Sequence, residues 1–169
     1  MNSNLAFEIR PISQADRAWM AQFIRDRWGS TQIVSRGVVH KTTRLPGFIA
    51  VHDDHPAGLV TYHIDGAECE IVTLDSPFQG MGIGTALIQA VRQAALEAGC
   101  SRLWLITTND NLPALRFYQK RGFRLSAFYR GAVDQARKIK PEIPKIGMEG
   151  IPIHDEIELE MKLPVGEDH

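Results

Sequence analysis

The sequence predicts an α/β (α+β) fold, a mixed central sheet with helices on both faces, and three observations carry that prediction. Between Gly47 and Leu74, apolar side chains recur at every second position in three runs parted by turn residues, the pattern of an antiparallel meander. From Ile83 to Tyr129, helical spacing and extended runs take turns, which is the order of an α/β layer. Ile157 to Leu163 then alternates once more and supplies a last strand.

Phe7-Glu8-Ile9-Arg10 alternates apolar and polar before Pro11 and reads as a short strand. Ser13, with Asp16 three residues on, resembles a capping box, and Ala15, Trp19, Phe23 and Ile24 keep helical spacing to about Trp28. Gly29 to Leu45 is polar and interrupted by glycine, and leaves a second short helix or a loop open. Phe48 to Val51, Gly58 to Ile64 and Glu68 to Leu74 are the meander strands, turning at Asp53 to Pro56 and at Asp65-Gly66. Ile83, Ala86, Leu87, Ala90, Val91, Ala94 and Ala98 mark an amphipathic helix that Gly99 stops. Leu103-Trp104-Leu105-Ile106 is almost continuously apolar, as expected of a strand covered on both faces. Asn109 to Asn111 can cap a helix holding Leu112, Leu115 and Tyr118, which ends at Gly122, and Phe123 to Tyr129 is extended. Residues 1–169 are read as a single domain carrying one insertion, about 131–154, that is basic (Arg137, Lys138, Lys140, Lys145) and punctuated by proline.

With 19 basic against 20 acidic residues, the net charge of -1 offers no general attraction to nucleic acid or membranes, so an anionic ligand has to be caught locally. The two cysteines, Cys69 and Cys100, form neither a metal spacing nor a disulfide framework and read as buried thiols, and no metal is expected. The first residues lack the pattern of a signal peptide, and no run approaches the ~18 apolar residues of a membrane span. A soluble cytoplasmic protein is the expectation.

Gln79-Gly80-Met81-Gly82-Ile83-Gly84-Thr85 joins a strand to the amphipathic helix. Glycines there leave backbone N–H groups bare, and the helix start adds unpaired donors and the positive end of its dipole, which together suit a phosphate. A phosphate-loop nucleotidase would need a lysine after these glycines, and a dinucleotide site a third glycine where Thr85 stands. Neither is present.

Gln79-x-x-Gly82-x-Gly84 resembles the Gln/Arg-x-x-Gly-x-Gly/Ala motif of the Gcn5-related N-acetyltransferase (GNAT) superfamily, and Asn109 to Phe123 is similar to that family's second motif, with its Phe-Tyr-x-x-x-Gly-Phe ending. The resemblance implies a GNAT-like acyl-CoA N-acyltransferase fold and acetyl-CoA as cosubstrate. It implies that the backbone of Gln79, Gly80, Met81, Gly82, Ile83 and Gly84 cradles the CoA pyrophosphate, with the Thr85 hydroxyl in reach. It further implies a pantetheine arm lying along Val72, Thr73 and Leu74, with the Val72 N–H as oxyanion donor. Asn109 would bond the pantetheine, Ala114, Phe117 and Tyr118 would line the cleft, and Lys120 or Arg121 would meet a phosphate.

Acyl transfer to an amine needs a base, because an ammonium of pKa about 10 must lose a proton before it attacks. It also benefits from an acid for the departing thiolate. Tyr118 occupies the position where similar enzymes keep that acid, and a phenol of pKa about 10 donates at neutral pH without being perturbed. Glu68 and Glu70 lie two residues apart on the strand before the loop and so share a face, alongside Val72 and Leu74. Glu68 matches the family's usual glutamate position. Glu70 stands one pair nearer the thioester and is the preferred base, with His63 a lesser candidate.

The family's acceptor side maps to Trp28–Gly37 and to the insertion, with Trp28, Arg36 and His40 as contacts. A small-molecule or peptide amine is the expected partner, and the insertion could also form a homodimer contact. The competing reading is a non-catalytic acyl-CoA-binding sensor.

Overall fold

The structure, a computed structural model, describes residues 7–77 and 80–164. Strand β1 (Glu8–Pro11) passes through a 3-10 turn into helix α1 (Arg17–Trp28). The turn is fixed by charge. Ser13 donates from both its N–H and its Oγ to Asp16 Oδ2, at 2.7 and 2.9 Å, and Arg10 clamps both oxygens of that carboxylate at 2.7 and 2.8 Å.

The ambiguous stretch after α1 is neither a helix nor a plain loop. Strands β2 (Gln32–Ser35) and β3 (Val38–Lys41) pair as a separate hairpin that turns on Arg36 and Gly37, both at positive φ (49° and 75°). A two-residue turn of that hand matches the twist of the flanking strands, which is why so short and polar a hairpin forms.

The expected meander follows as β4 (Gly47–His52), β5 (His55–Asp65) and β6 (Glu68–Asp75). Then come α2 (Ile83–Glu97), β7 (Arg102–Thr108), α3 (Leu112–Lys120), β8 (Arg124–Tyr129), α4 (Ala132–Ile139) and β9 (Glu156–Lys162). Seven strands form one mixed sheet in the order β1-β4-β5-β6-β7-β9-β8, in which only β6 and β7 run parallel.

Helix α2 buries Ile83, Leu87, Ile88, Val91 and Ala95 against Val60, Cys69, Ile71, Leu103, Leu105 and Leu159, and α3 adds Tyr118 to the same cluster. On the other face α1 seats Met20 and Ile24 on Ile49 and Leu59. At roughly 1.5–3 kcal/mol for each fully buried large aliphatic side chain, these two layers supply most of the drive to close the sheet between helices. Both cysteines are free and buried in the larger layer.

The insertion contains α4, a short helix not anticipated from its sequence, followed by a strap, residues 140–155, laid along the ends of β7 and α3. Arg137 donates to the carbonyls of Ile143, Pro144 and Ile153, and Asp110 accepts from the Met148 N–H at 3.0 Å. Gly147 passes so close to Asp110 that a Cβ there would lie 2.0 Å from its Oδ2, so the crossing requires glycine.

Candidate active site

The site grows from a mismatch in the sheet. Strands β6 and β7 pair only from Glu68↔Arg102 to Ile71↔Leu105; beyond that β6 stays with β5 while β7 stays with β9. Parallel neighbours with different partners ahead must splay apart. At the point where they part, β6 carries a bulge: Thr61 faces Thr73 and Tyr62 faces Ile71, so Val72 has no register partner on either side. A bulge re-aims the residues after it.

That bulge corrects one expectation. Glu68 and Glu70 share a face, but Leu74 does not lie on it. Leu74 pairs with Val60 and packs with Ile71 in the α2 layer, while Thr73 turns to the other face, where its hydroxyl meets that of Thr61 at 2.6 Å. The extra residue shifts the period-two alternation by one.

On the α2 side, the splay opens into a cleft of about 660 Å³. It is lined by Leu74 and Asp75 from β6, by Gly80 and Gly82 to Thr85 at the start of α2, and by Ala114, Phe117, Tyr118, Lys120 and Arg121 from the α3 end. Gln79 lies outside the described residues, and Met81 packs against the apolar cluster beside them. Gly82 caps α2 at φ 78°, a conformation that side-chain-bearing residues rarely adopt. At Gly84 a Cβ would stand 3.0 Å from the Phe117 ring, so the helix start and α3 approach across bare backbone.

Arg121 joins the two motifs. Its guanidinium lies 3.5 Å from the centre of the Phe117 ring, donates to the Phe117 carbonyl and reaches Thr85 Oγ1 at 2.8 Å. A fixed cation, a helix start and bare glycine backbone fit a phosphate. Tyr118 is buried between Phe117 and Phe123, and burial raises its phenol pKa above the usual value, with Arg121 pulling the other way.

Asn109 takes another role than the expected one. Its Nδ2 donates to Pro152 O, and its Oδ1 accepts from the N–H groups of His154 and Asp155. The carboxamide is spent on holding the strap. Asn111 is the α3 cap, accepting from the Ala114 N–H.

On the opposite face of the sheet the two glutamates separate. Glu68, at the far end of β6, is half exposed and pairs with Arg102 at 3.3 Å. Glu70 is buried beneath the β2–β3 hairpin, where Ser35 Oγ donates to Oε1 at 2.6 Å and His40 Nε2 stands 3.3 Å from Oε2. His63 is exposed on β5 opposite Glu70, with its ring edge-on to His40.

Sequence reasoning missed Glu156 and Glu158, which are buried on the same face from β9. The signal was present: Glu156, Glu158 and Glu160 alternate with Ile157 and Leu159, so a strand with one face in the core turns all three acids the other way. Glu158 is fully engaged with Arg36, Arg102, Ser126 and Tyr129. Among the described residues Glu156 takes a hydrogen bond only from the Arg36 N–H, at 3.4 Å; burial raises its carboxyl pKa, that N–H lowers it, and the charge of Glu70 raises it again. Arg36, at the hairpin tip, also lies over Trp104 and Tyr129 at 5.5 and 5.1 Å. Of the expected acceptor contacts, Arg36 and His40 therefore meet at this acidic face, while Trp28 is exposed at the end of α1.

Three comparisons bear on this arrangement. The sequence profile of the acetyltransferase (GNAT) family matches residues 12–123. A Bacillus subtilis protein, YdhI, described as uncharacterized, is 43% identical over 150 residues, which is 88% of this chain and 94% of that one. Among solved structures, a GNAT family acetyltransferase from Elizabethkingia anophelis with acetyl-CoA bound superposes with a TM-score of 0.65 at 22% identity, over 93% of this chain and 98% of that one. A Bacillus subtilis acetyltransferase in complex with CoA gives 0.66 at 20%, over 95% and 99%.

Proposed function

The chain belongs to the acetyltransferase (GNAT) family, and from that premise we propose that it moves an acetyl group from acetyl-CoA to a primary amine by direct attack in a ternary complex, with Glu70 as base and Tyr118 as acid. One observation carries this reading: the splay of β6 from β7 at the Val72 bulge, opening into a cleft walled by both motifs. The solved relatives bound to CoA or acetyl-CoA support the choice of donor.

When bound, acetyl-CoA supplies an activated thioester. The backbone of Gly80 to Gly84, Thr85 and the anchored Arg121 hold phosphate, and Ala114 and Phe117 wall the cleft. The unpaired edge of β6 at Val72, Thr73 and Leu74 is free to bond an extended arm, and the Val72 N–H is the oxyanion donor. Lys120, exposed on the cleft wall, adds a second positive charge.

The acceptor approaches from the other face. Glu70, held by Ser35 on one oxygen, keeps its second oxygen for the ammonium proton. Its buried position, against the half-exposed Glu68, supports the preference for it as the base. Tyr118, whose phenol burial keeps protonated, gives its proton to the departing sulfur.

The test is thiol release from acetyl-CoA with a panel of spermidine, L-lysine amide, kanamycin and a peptide with a free N-terminus. Turnover with at least one amine, falling about 100-fold in Glu70→Gln, is the expected result. Tight CoA binding with no turnover on any amine would instead make the chain an acyl-CoA sensor.

A further inference from the structure

Among the described residues, His40 Nε2 is the one buried side-chain nitrogen or oxygen without a hydrogen-bond partner. His40 is 6% exposed, and the atom faces Glu70 Oε2 at 3.3 Å, close enough for an ion pair but not aligned as a hydrogen bond. A buried polar atom left in that state forfeits its hydration with no return, and such atoms in native folds call for a reason.

The neighbours suggest one. Glu70 Oε1 already has its donor in Ser35, so only Oε2 is open. With the His40 ring in the tautomer that carries its proton on Nδ1, Nε2 is a lone pair, and two acceptors face each other with no proton between them. A catalytic cycle that draws a proton from an ammonium delivers the missing hydrogen.

We propose that His40 is the second half of the base: it takes the acceptor's proton from Glu70 and passes it out of the site. This rests on Glu70 being the base. In sequence, an N–H bond of the ammonium breaks as an O–H bond forms at Glu70 Oε2. That O–H bond then breaks as an N–H bond forms at His40 Nε2, leaving carboxylate and imidazolium side by side. The Nδ1–H bond of the imidazolium then breaks as an O–H bond forms on a solvent water at the edge of the site marked by exposed His63, whose ring centre is 5.4 Å away. The neutral ring returns its remaining proton from Nε2 to Nδ1 through water before the next turn.

The charges around this pair suit a passing cation. Glu70 faces His40 from β6, and Glu156 adds a buried carboxyl from β9. Arg36 at the hairpin tip is committed to Glu158, and Lys140 of the strap to the Gln32 carbonyl. His40 and Ser35 both belong to the hairpin, so one element delivers both contacts to the carboxylate.

His40→Gln, Ser35→Ala and Glu70→Gln are compared by thiol release between pH 7 and pH 10, with spermidine or the fastest amine of the panel. For His40→Gln the expected result is a fall in kcat of at least tenfold at pH 7, with the KM for acetyl-CoA unchanged. That deficit shrinks to less than twofold at pH 10, where much of the amine arrives already deprotonated and needs no relay. Ser35→Ala, which removes a contact to the same carboxylate, is impaired at pH 7 and, like Glu70→Gln, recovers towards pH 10, because an amine that arrives deprotonated needs no base. A His40→Gln deficit that does not change with pH, or no deficit beside an impaired Glu70→Gln, overturns the relay and leaves the base in place. An unimpaired Glu70→Gln overturns the base assignment together with it.

Discussion

Arg121 Nε donates to Thr85 Oγ1 at 2.8 Å, tying the residue that ends α3 to the first turn of α2 across the floor of the cleft. The same guanidinium stacks on Phe117, so its direction is set before any ligand arrives.

Arg121→Ala should therefore weaken CoA binding about tenfold, the scale of one charge-assisted contact to phosphate, as read by calorimetry. Arg121→Lys should recover little of it, because an ammonium neither stacks in the same way nor spans both acceptors. Equal affinity in wild type and Arg121→Ala would remove this residue from the phosphate site.

Tyr118→Phe should bind CoA normally and lose about 100-fold in kcat. Because burial raises the phenol pKa above its ordinary value of about 10, the group stays protonated through pH 6–10. The wild-type rate should thus show no loss over that range assignable to Tyr118; a falling limb near pH 8 that disappears in the phenylalanine variant would contradict the assignment.

Neither cysteine should react with a thiol reagent in the folded protein. Cys69 is fully buried, and its thiol is pushed up to about 12, by burial first and then by Cys100 and Glu70, so little thiolate forms. Cys100 is shifted in the same direction by burial. Colorimetric titration should give no thiol before denaturant and two after it. A fast reaction at either position without denaturant would show the α2 layer to be open.

Asp16→Asn should destabilise the fold by about 1 kcal/mol at pH 7, the scale of a helix cap combined with a partly exposed ion pair. The Arg10 guanidinium holds the Asp16 carboxyl well below the usual carboxylate range, assisted by Ser13. A group shifted in that direction stabilises the fold above its unfolded pKa, near 3.9, and loses the contribution as pH falls below it. Urea unfolding of both proteins at pH 7 and pH 2.5 should show the gap narrowing in acid; a constant gap would argue for packing instead of charge.

Elements governed by one strong local pattern were legible in the sequence. Helix α2 and strands β4 to β7 stand close to where apolar period and turn residues put them, and the glycine run does open α2. The β2–β3 hairpin was not legible, because four-residue strands with a polar face carry too few periods to be told from a loop. The Val72 bulge was hidden for another reason. Nothing local marks it, since it arises from Tyr62 pairing with Ile71 and Thr61 with Thr73, a matter of register between strands. Of the cleft lining, the glycine turn and Tyr118 could be named in advance, and on the other face the choice between two glutamates could be posed. The surroundings that separate Glu70 from Glu68 come from hairpin and β9 residues far away in sequence.

The fastening of the strap bears on how this protein can be rebuilt. Asn109 and Asp110 sit in the turn before α3, yet their side chains serve residues 148 to 155. Exchanging the segment after β8 for that of another protein would leave the Asn109 carboxamide and Asp110 Oδ2 without these partners in the turn that starts α3, beside the cleft. A functional chimera has to transplant that turn and the strap as one piece, or replace Asn109 and Asp110 with side chains that need no partner.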